Sequence, residues 1–94
     1  MSTYTLTVAT PDGNRFHGEV AGLYLRGAEG DLAVLAGHIP FITAVQPGEC
    51  RIQLPEDDAG DGEMRTGRTE GGLLTVDGDA VTLLSGSFHW MDEE

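Results

Sequence analysis

Short apolar runs, separated by turn residues, follow one another along the whole chain. The stretch from Gly27 to Gly48 shows this most densely, with apolar runs at Leu32–Leu35 and Phe41–Val45 separated by Gly37 and Pro40. The runs are too short for helices, and glycine and proline let the backbone reverse between them. The pattern predicts two strands, the first of them buried.

The chain before this stretch also alternates between apolar and polar positions. From Tyr4 to Val8, apolar residues alternate with threonines, which predicts a strand. A turn is predicted at Pro11–Asn14, where proline fixes φ and a following residue takes the left-handed conformation. The chain then runs extended from Phe16 to Arg26, and Gly18 and Gly22 are expected to mark bulges.

The middle of the chain combines one clear strand with an acidic, polar segment. Cys50–Leu54 alternates as a half-buried strand does, and Pro55 is expected to end it. Glu56–Gly62 is acidic and poor in apolar residues, which predicts an exposed, mobile loop. Met64–Thr69 contains a glycine and two arginines, so we expect a peripheral or edge strand there.

A hairpin is predicted over Leu73–Leu84, and its register can be argued. If the loop is Gly78-Asp79, Val76 faces Val81, whereas a loop one residue earlier sets that valine against an aspartate. The apolar match favours the first register. A last short strand is predicted within Ser87–Met91. Short strands at this spacing are typical of an all-β fold, here an antiparallel β-sandwich.

The composition agrees with one small domain covering residues 1–94. Fourteen glycines favour many tight turns, and 39% hydrophobic residues suffice for a core. No run approaches the roughly 18 apolar residues of a membrane-spanning helix, and the N-terminus lacks a signal-peptide pattern. A lone Cys50 cannot form an internal disulfide, which indicates a cytosolic protein.

The charge of the chain restricts its partners. Five basic residues against sixteen acidic ones give a net charge of −11. Nucleic acid is disfavoured because its binding requires cations that neutralise phosphates, and direct binding to anionic lipid is disfavoured for the same reason. The charge favours a basic protein partner, or it simply keeps the protein soluble as a solvated acidic surface.

No arrangement of reactive side chains predicts catalysis. His17, His38 and His89 have no second strong metal ligand nearby in sequence, so no zinc site is expected. The acidic loop departs from a calcium-binding pattern because Ala59 occupies a ligand position. Cys50 shares an apolar face with its neighbours, which indicates a core residue rather than a nucleophile. A binding role remains, and the apolar break at Gly37–Phe41 is either a candidate surface or a hairpin corner packed on its own core.

A family resemblance covers nearly the whole chain, and its most specific part is the motif EGDLAVLAGHIPFITAVQPG, which begins at Glu29. Supporting pieces are Tyr4-x-Leu6-x-Val8, Gly71-Gly72-Leu73-Leu74 and Val81-Thr82-Leu83-Leu84. This pattern resembles the N-terminal β-sandwich domain of the epsilon subunit of the F-type ATP synthase. The resemblance implies an all-β fold, a flattened antiparallel β-sandwich of about ten short strands.

The resemblance also implies a function. Epsilon subunits are non-catalytic parts of the central rotor stalk, joining the gamma subunit to the c-subunit ring in proton-driven ATP synthesis. They are held peripherally, on the cytoplasmic face of the energy-coupling membrane. The contact residues implied are Glu29, Gly30 and Asp31 toward the c ring, and Thr10, His38 and Thr43 toward gamma.

The sequence departs from the family pattern in two places. Family members usually continue into a C-terminal helical hairpin that can bind ATP and inhibit the enzyme. The 94 residues end where the sandwich is expected to end, so we expect neither that inhibition nor a bound cofactor. The segment Asp57–Thr69 is longer and more polar than the family pattern. The alternative interpretation is a free-standing β-sandwich interaction module, detached from the synthase.

Overall fold

The computed structural model describes residues 2–56 and 62–91, and within them the chain forms ten strands and no helix. The strands are β1 (Tyr4–Thr10), β2 (Gly13–Val20), β3 (Gly22–Gly27), β4 (Gly30–Leu35), β5 (Phe41–Val45), β6 (Gly48–Glu56), β7 (Gly62–Thr69), β8 (Gly72–Asp77), β9 (Ala80–Ser85) and β10 (Phe88–Trp90). The all-β prediction of about ten short strands is confirmed.

Two layers form the molecule, and β3 joins them. One layer contains β4, β3, β6, β7 and β10, and the other contains β5, β8, β9, β1 and β2. β3 pairs with β6 from Gly22 to Tyr24 and reaches β5 only through the pair Gly27–Val45. The extents of 36 × 35 × 24 Å describe a flattened slab, as predicted.

The core lies between the layers because alternate residues of each strand point inward. In β1 and β6 the inward positions are those predicted from the alternation. Cys50 belongs to this core and is fully buried, as predicted. The buried apolar residues are Tyr4, Leu6, Val8, Val20, Leu23, Leu25, Val34, Val45, Cys50, Ile52, Leu74, Val76, Val81, Leu83 and Phe88.

Aromatic rings close one side of the sandwich, where β2 of one layer meets β10 of the other. The Trp90 ring packs edge-on against Phe88, with centroids 5.0 Å apart, and against Phe16 at 6.0 Å. The Arg65 guanidinium carbon lies 3.8 Å from the Trp90 ring centre. Gly67 sits directly beneath the Phe88 ring, so the glycine in this polar strand is a packing requirement.

The β8–β9 hairpin has the predicted register. Asp77 pairs with Ala80, and Val76 pairs with Val81, which leaves Gly78-Asp79 as the loop. Gly78 has φ of +62°, the left-handed conformation that glycine adopts without steric cost.

The antiparallel prediction is wrong for one strand pair. β1 runs parallel to β9, with Thr5 opposite Ala80 and Ala9 opposite Leu84. Every other pairing is antiparallel among the residues described. The physical reason is distance along the chain: no hairpin joins the two strands, so turn geometry does not fix their direction.

The predicted bulges at Gly18 and Gly22 are wrong. The register of β1 and β2 shifts between Val8 and Ala9, which leaves Arg15 as the additional residue. The predicted extended segment also breaks at Ala21, between β2 and β3. An extra residue next to a turn is accommodated by backbone geometry, so glycine is not needed there.

Pro55 does not end its strand, because β6 continues to Glu56 across an irregularity that begins after Gln53. Proline is tolerated at such an irregularity, where no ladder hydrogen bond is lost. The loop predicted for Glu56–Gly62 lies for the most part outside the described residues.

Two predictions of strand environment need correction. Leu32–Leu35 forms a strand whose one partner among residues 2–56 and 62–91 is β3, and its outward residues Ala33 and Leu35 are exposed. It is a half-buried edge strand, because no other described strand covers its outward face. The predicted edge strand, β7, is instead flanked on both sides, since its residues Gly67–Thr69 pair with β10 as well as with β6.

Candidate functional site

A tight turn between β3 and β4 carries the residues implied for the c-ring contact. Gly27 pairs with Gly30, so the two loop residues are Ala28 and Glu29. Gly30 has φ of +122°, which favours glycine, and a Cβ there would touch nothing within 4 Å. Gln46 fixes the turn from the neighbouring loop by donating from Nε2 to the Gly27 carbonyl at 3.0 Å.

The charges of this turn point to solvent. Arg26 and Asp31 face each other across β3 and β4 and form an ion pair at 3.3 Å, with both side chains largely exposed. Exposed pairs of this kind contribute little to stability, so Asp31 remains able to meet a partner's cation. The turn therefore has a fixed backbone, and its charged side chains can exchange their present partners for those of a bound protein.

The three residues implied for the gamma contact lie on different elements. Thr10 ends β1, and its hydroxyl donates to the Gly13 carbonyl at 3.0 Å within the β1–β2 turn. His38 lies before β5, with its ring 4.7 Å from that of Phe41. Thr43 is half-buried in β5, on the inward-facing side of that strand. The fold brings none of these three into a single cluster.

An outward-facing row of apolar side chains crosses four neighbouring strands, and the sequence analysis missed it. Ala44 of β5 pairs with Leu73 of β8, which pairs with Leu84 of β9, which pairs with Ala9 of β1. Leu73 is 41% exposed and Leu84 is 49% exposed. We call these four residues the apolar row.

A sequence signal for this row existed. The doublets Leu73-Leu74 and Leu83-Leu84 place leucine at successive positions of a strand, and successive side chains point to opposite faces. One leucine of each doublet must therefore face outward.

Both ends of the apolar row continue into features near the implied gamma residues. At one end, a hollow of about 270 Å³ is lined by Ala9, Thr10, Pro11, Leu84 and Ser85. At the other end, Ile42 is 66% exposed on the same face of β5 as Ala44. The candidate break at Gly37–Phe41 adds Ile39, which is 73% exposed. Thr10 thus lies at one end of an extended apolar surface, four strands wide, whereas Thr43 points to the opposite face of β5.

The titratable groups of the core are held neutral. Burial raises the pKa of the Cys50 thiol to about 12, and burial likewise raises the pKa of Tyr4, whose hydroxyl donates to the Val34 carbonyl at 2.7 Å. Within residues 2–56 and 62–91 there is no group of three side chains that could hold a metal ion. The same residues include no helix suited to crossing a membrane.

A small β-sandwich with two separate outward surfaces, one a charged turn and one an apolar row, has the character of a docking protein. The chain belongs to the family described as the ATP synthase Delta/Epsilon chain beta-sandwich domain, which matches residues 3–91.

Similar proteins are named ATP synthase epsilon chains. An ATP synthase epsilon chain from Psychrobacter cryohalolentis is 35% identical over 96 residues, covering 99% of this chain and 66% of that protein. One from Persephonella marina is 36% identical over 81 residues, covering 86% of this chain and 56% of that protein. The chain therefore spans somewhat less than two thirds of the length of these relatives.

Solved structures show the same fold. A chain in the Euglena gracilis mitochondrial ATP synthase, in a structure of OSCP, F1 and c-ring, matches with a TM-score of 0.85 and 22% identity, covering 100% of this chain and 57% of that one. A chain in the central stalk and c-ring of the Tetrahymena thermophila mitochondrial ATP synthase matches with a TM-score of 0.71 and 15% identity, covering 89% of this chain and 63% of that one.

Proposed function

We propose that this chain is a non-catalytic rotor subunit of the central stalk of an F-type ATP synthase. In that role it joins the gamma subunit to the c-subunit ring, so that rotation of the ring turns gamma during proton-driven ATP synthesis. Membership of the delta/epsilon family and the epsilon-chain names of its relatives support this role. The role also requires residues 1–94 to behave as one stiff β-sandwich domain.

The apolar row is the observation that carries the proposal. Water-exposed leucines in register on adjacent strands are costly unless a partner covers them, because burial of apolar surface contributes about 25 cal/mol per Å². We propose that gamma covers this row and also contacts Thr10, His38 and Thr43, the last of them on the opposite face of β5. Thr10 would contribute through the hollow beside it.

The charged turn would make the second contact, on the side of the c ring. We propose that Glu29, Gly30 and Asp31 contact the polar loops of the c ring, where carboxylates would pair with basic loop residues and set register more than affinity. The turn is suited to this because Gln46 holds its backbone while its charges stay exposed. A close-packed sandwich between the two surfaces transmits torque, since protein interiors are hardly compressible.

This proposal places the chain at the periphery of the energy-coupling membrane, on its cytoplasmic face. Attachment would come through gamma and the c ring, since a net charge of −11 disfavours contact with anionic lipid.

Gel filtration with the purified gamma subunit of the same organism tests the proposal. The wild-type chain should co-elute with gamma, and Leu84→Asp should weaken this binding by about 30-fold, as expected for loss of about 2 kcal/mol of apolar burial. The matched control is Met64→Asp, another exposed apolar residue, in β7 of the other layer.

Two outcomes would contradict the proposal. A chain that stays monomeric beside gamma would favour the free-standing interaction module instead. Equal binding by the Leu84→Asp and Met64→Asp variants would remove the apolar row from the interface.

A further inference from the structure

A groove of about 400 Å³ opens on the outer face of the layer that contains β3, β4 and β6. It arises because β3 changes partner: its pairing with β6 includes Tyr24, and it meets β5 at Gly27. Between these two points the neighbouring strands diverge. Pro47, Gly48 and Glu49, where the chain passes from β5 into β6, form one wall of the groove.

Tyr24 is the centre of the groove, and the residues beside it give the groove its depth. The Arg51 guanidinium carbon lies 5.7 Å from the Tyr24 ring centre. On the other side Tyr24 pairs with Ala33, whose small side chain leaves room along the ring. An aromatic face with a guanidinium on one side and open space on the other is suited to packing a further group.

Two arginines and two carboxylates line the groove. Arg26 and Arg51 both line it, and the whole sequence has only five basic residues against sixteen acidic ones. Asp31 and Glu49 line it too, so the groove is locally neutral. A small free anion would gain little there, because the two carboxylates repel it.

A polypeptide loop fits this chemistry better. Arginine presents several N–H donors in a rigid fork, which suits main-chain carbonyl and carboxylate oxygens. Among residues 2–56 and 62–91, Arg26 forms an ion pair with Asp31, and Arg51 forms none. A loop that carries both donors and acceptors can satisfy the arginines and the carboxylates together.

We infer that the groove receives the polar loop of the same ring subunit that the β3–β4 turn contacts. Arg26 and Arg51 donate to oxygens of the loop backbone, and a side chain of the loop packs on Tyr24. Asp31 belongs both to the groove and to the turn, which makes the two surfaces continuous. The inference rests on the proposed function, because that function supplies the occupant.

Site-directed photocross-linking in the assembled synthase tests the inference. Cys50 is fully buried, so a cysteine introduced on the surface is the accessible thiol for a benzophenone maleimide. The probe is placed at Ala33→Cys in the groove, at Asp31→Cys in the turn, and at Arg15→Cys as a control on the exposed part of β2.

The outcomes separate the groove from the function as a whole. A photoproduct between the Ala33→Cys chain and the ring subunit, absent from the Arg15→Cys control, is the expected result. If only the Asp31→Cys probe reaches the ring, the groove is not a contact and the proposed function stands. If neither probe reaches the ring, the ring-side contact is wrong and the inference fails with it.

A second measurement examines the arginine directly. Arg51→Gln should lower the yield of the ring photoproduct from the Ala33 probe about tenfold, as expected when one charge-assisted hydrogen bond is lost. Arg15→Gln, carried by the same labelled chain, should leave the yield unchanged. Equal yields in the two variants would show that Arg51 does not hold the loop.

Discussion

Thr69 Oγ1 and Ser85 Oγ lie 2.6 Å apart inside the sandwich. Among residues 2–56 and 62–91, Thr69 and Ser85 are the polar residues that are buried in the core. Thr69 ends β7 in one layer and Ser85 ends β9 in the other, so the hydrogen bond ties the layers together. The network is complete, since Thr69 accepts from the Gly71 amide at 3.0 Å and Ser85 donates to the Ser87 carbonyl at 2.7 Å.

Replacing this threonine should destabilise the fold. Thr69→Val keeps the shape but leaves the buried Gly71 amide and the Ser85 hydroxyl each without one partner, which should lower the free energy of unfolding by about 1–3 kcal/mol. Urea denaturation measures the change. Thr82→Val, on the outer face of β9, is the matched control and should change the stability little. Equal effects of the two variants would refute a special role for the network.

The Tyr4 hydroxyl stabilises the edge strand β4. Tyr4→Phe removes the donor to the Val34 carbonyl and should cost about 1 kcal/mol, because one buried hydrogen bond between the layers is lost. Thermal unfolding compares it with Tyr24→Phe, whose tyrosine is only half-buried. Hydrogen exchange should become faster in β4 of the Tyr4→Phe variant, and unchanged exchange there would contradict the assignment.

Gly67 should not tolerate a methyl group. In Gly67→Ala the added Cβ would overlap the Phe88 ring, which must then move away from β7 together with β10. We expect a loss of about 1–3 kcal/mol and a shift in fluorescence of Trp90, which packs on Phe88. Gly86→Ala is the control, since a Cβ there meets nothing within 4 Å. Unchanged stability and fluorescence would show that β10 can adjust.

The loss of folding stability at acidic pH should depend in part on Glu19. Hydrogen bonds donated by the Thr5 and Thr3 hydroxyls hold the pKa of the Glu19 carboxyl below its usual range. A group whose folded pKa is depressed contributes stability above its unfolded pKa and loses it as the pH falls through the folded value. Glu19→Gln should therefore be less stable than the wild type at pH 7, and the difference should vanish at pH 2. A pH-independent difference would contradict this linkage.

Asp31 should matter for coupling and not for folding. Asp31→Lys reverses the charge that we propose to face the c ring, so proton pumping per ATP hydrolysed should fall several-fold in membrane vesicles. The circular dichroism spectrum and the melting temperature should stay close to wild type, since the ion pair with Arg26 is exposed. Asp77→Lys, beside the β8–β9 turn, is the charge-matched control. An unchanged coupling ratio would remove Asp31 from the interface.

Sequence patterning predicted those strands whose two faces differ in chemistry. The register of β8 and β9 followed from matching Val76 with Val81, because a shift by one residue would place an aspartate opposite Val76. The pairing of β1 with β9 could not be predicted in the same way. That pairing brings together two segments that are far apart in sequence, and no local pattern of residues encodes it.

The environment of a strand was harder to predict than its existence. Leu32–Leu35 is apolar throughout, which suggested burial on both faces, yet one face of the strand is exposed at an edge of its layer. For the candidate site, the family resemblance implied that the residues of the β3–β4 turn contact the c ring, and this stays a prediction. The apolar row was missed because its residues become neighbours only when four strands align.

The parallel pairing of β1 with β9 has a consequence for biosynthesis. The ribosome releases β1 first, and β2 can then pair with one of its edges. The other edge stays unpaired until β9, Ala80–Ser85, has emerged. Until then the nascent chain exposes one unprotected flank of β1 and one of β8. The domain can therefore close only after β9 has been synthesised, and a chaperone that shields nascent segments would meet it in an open form before then.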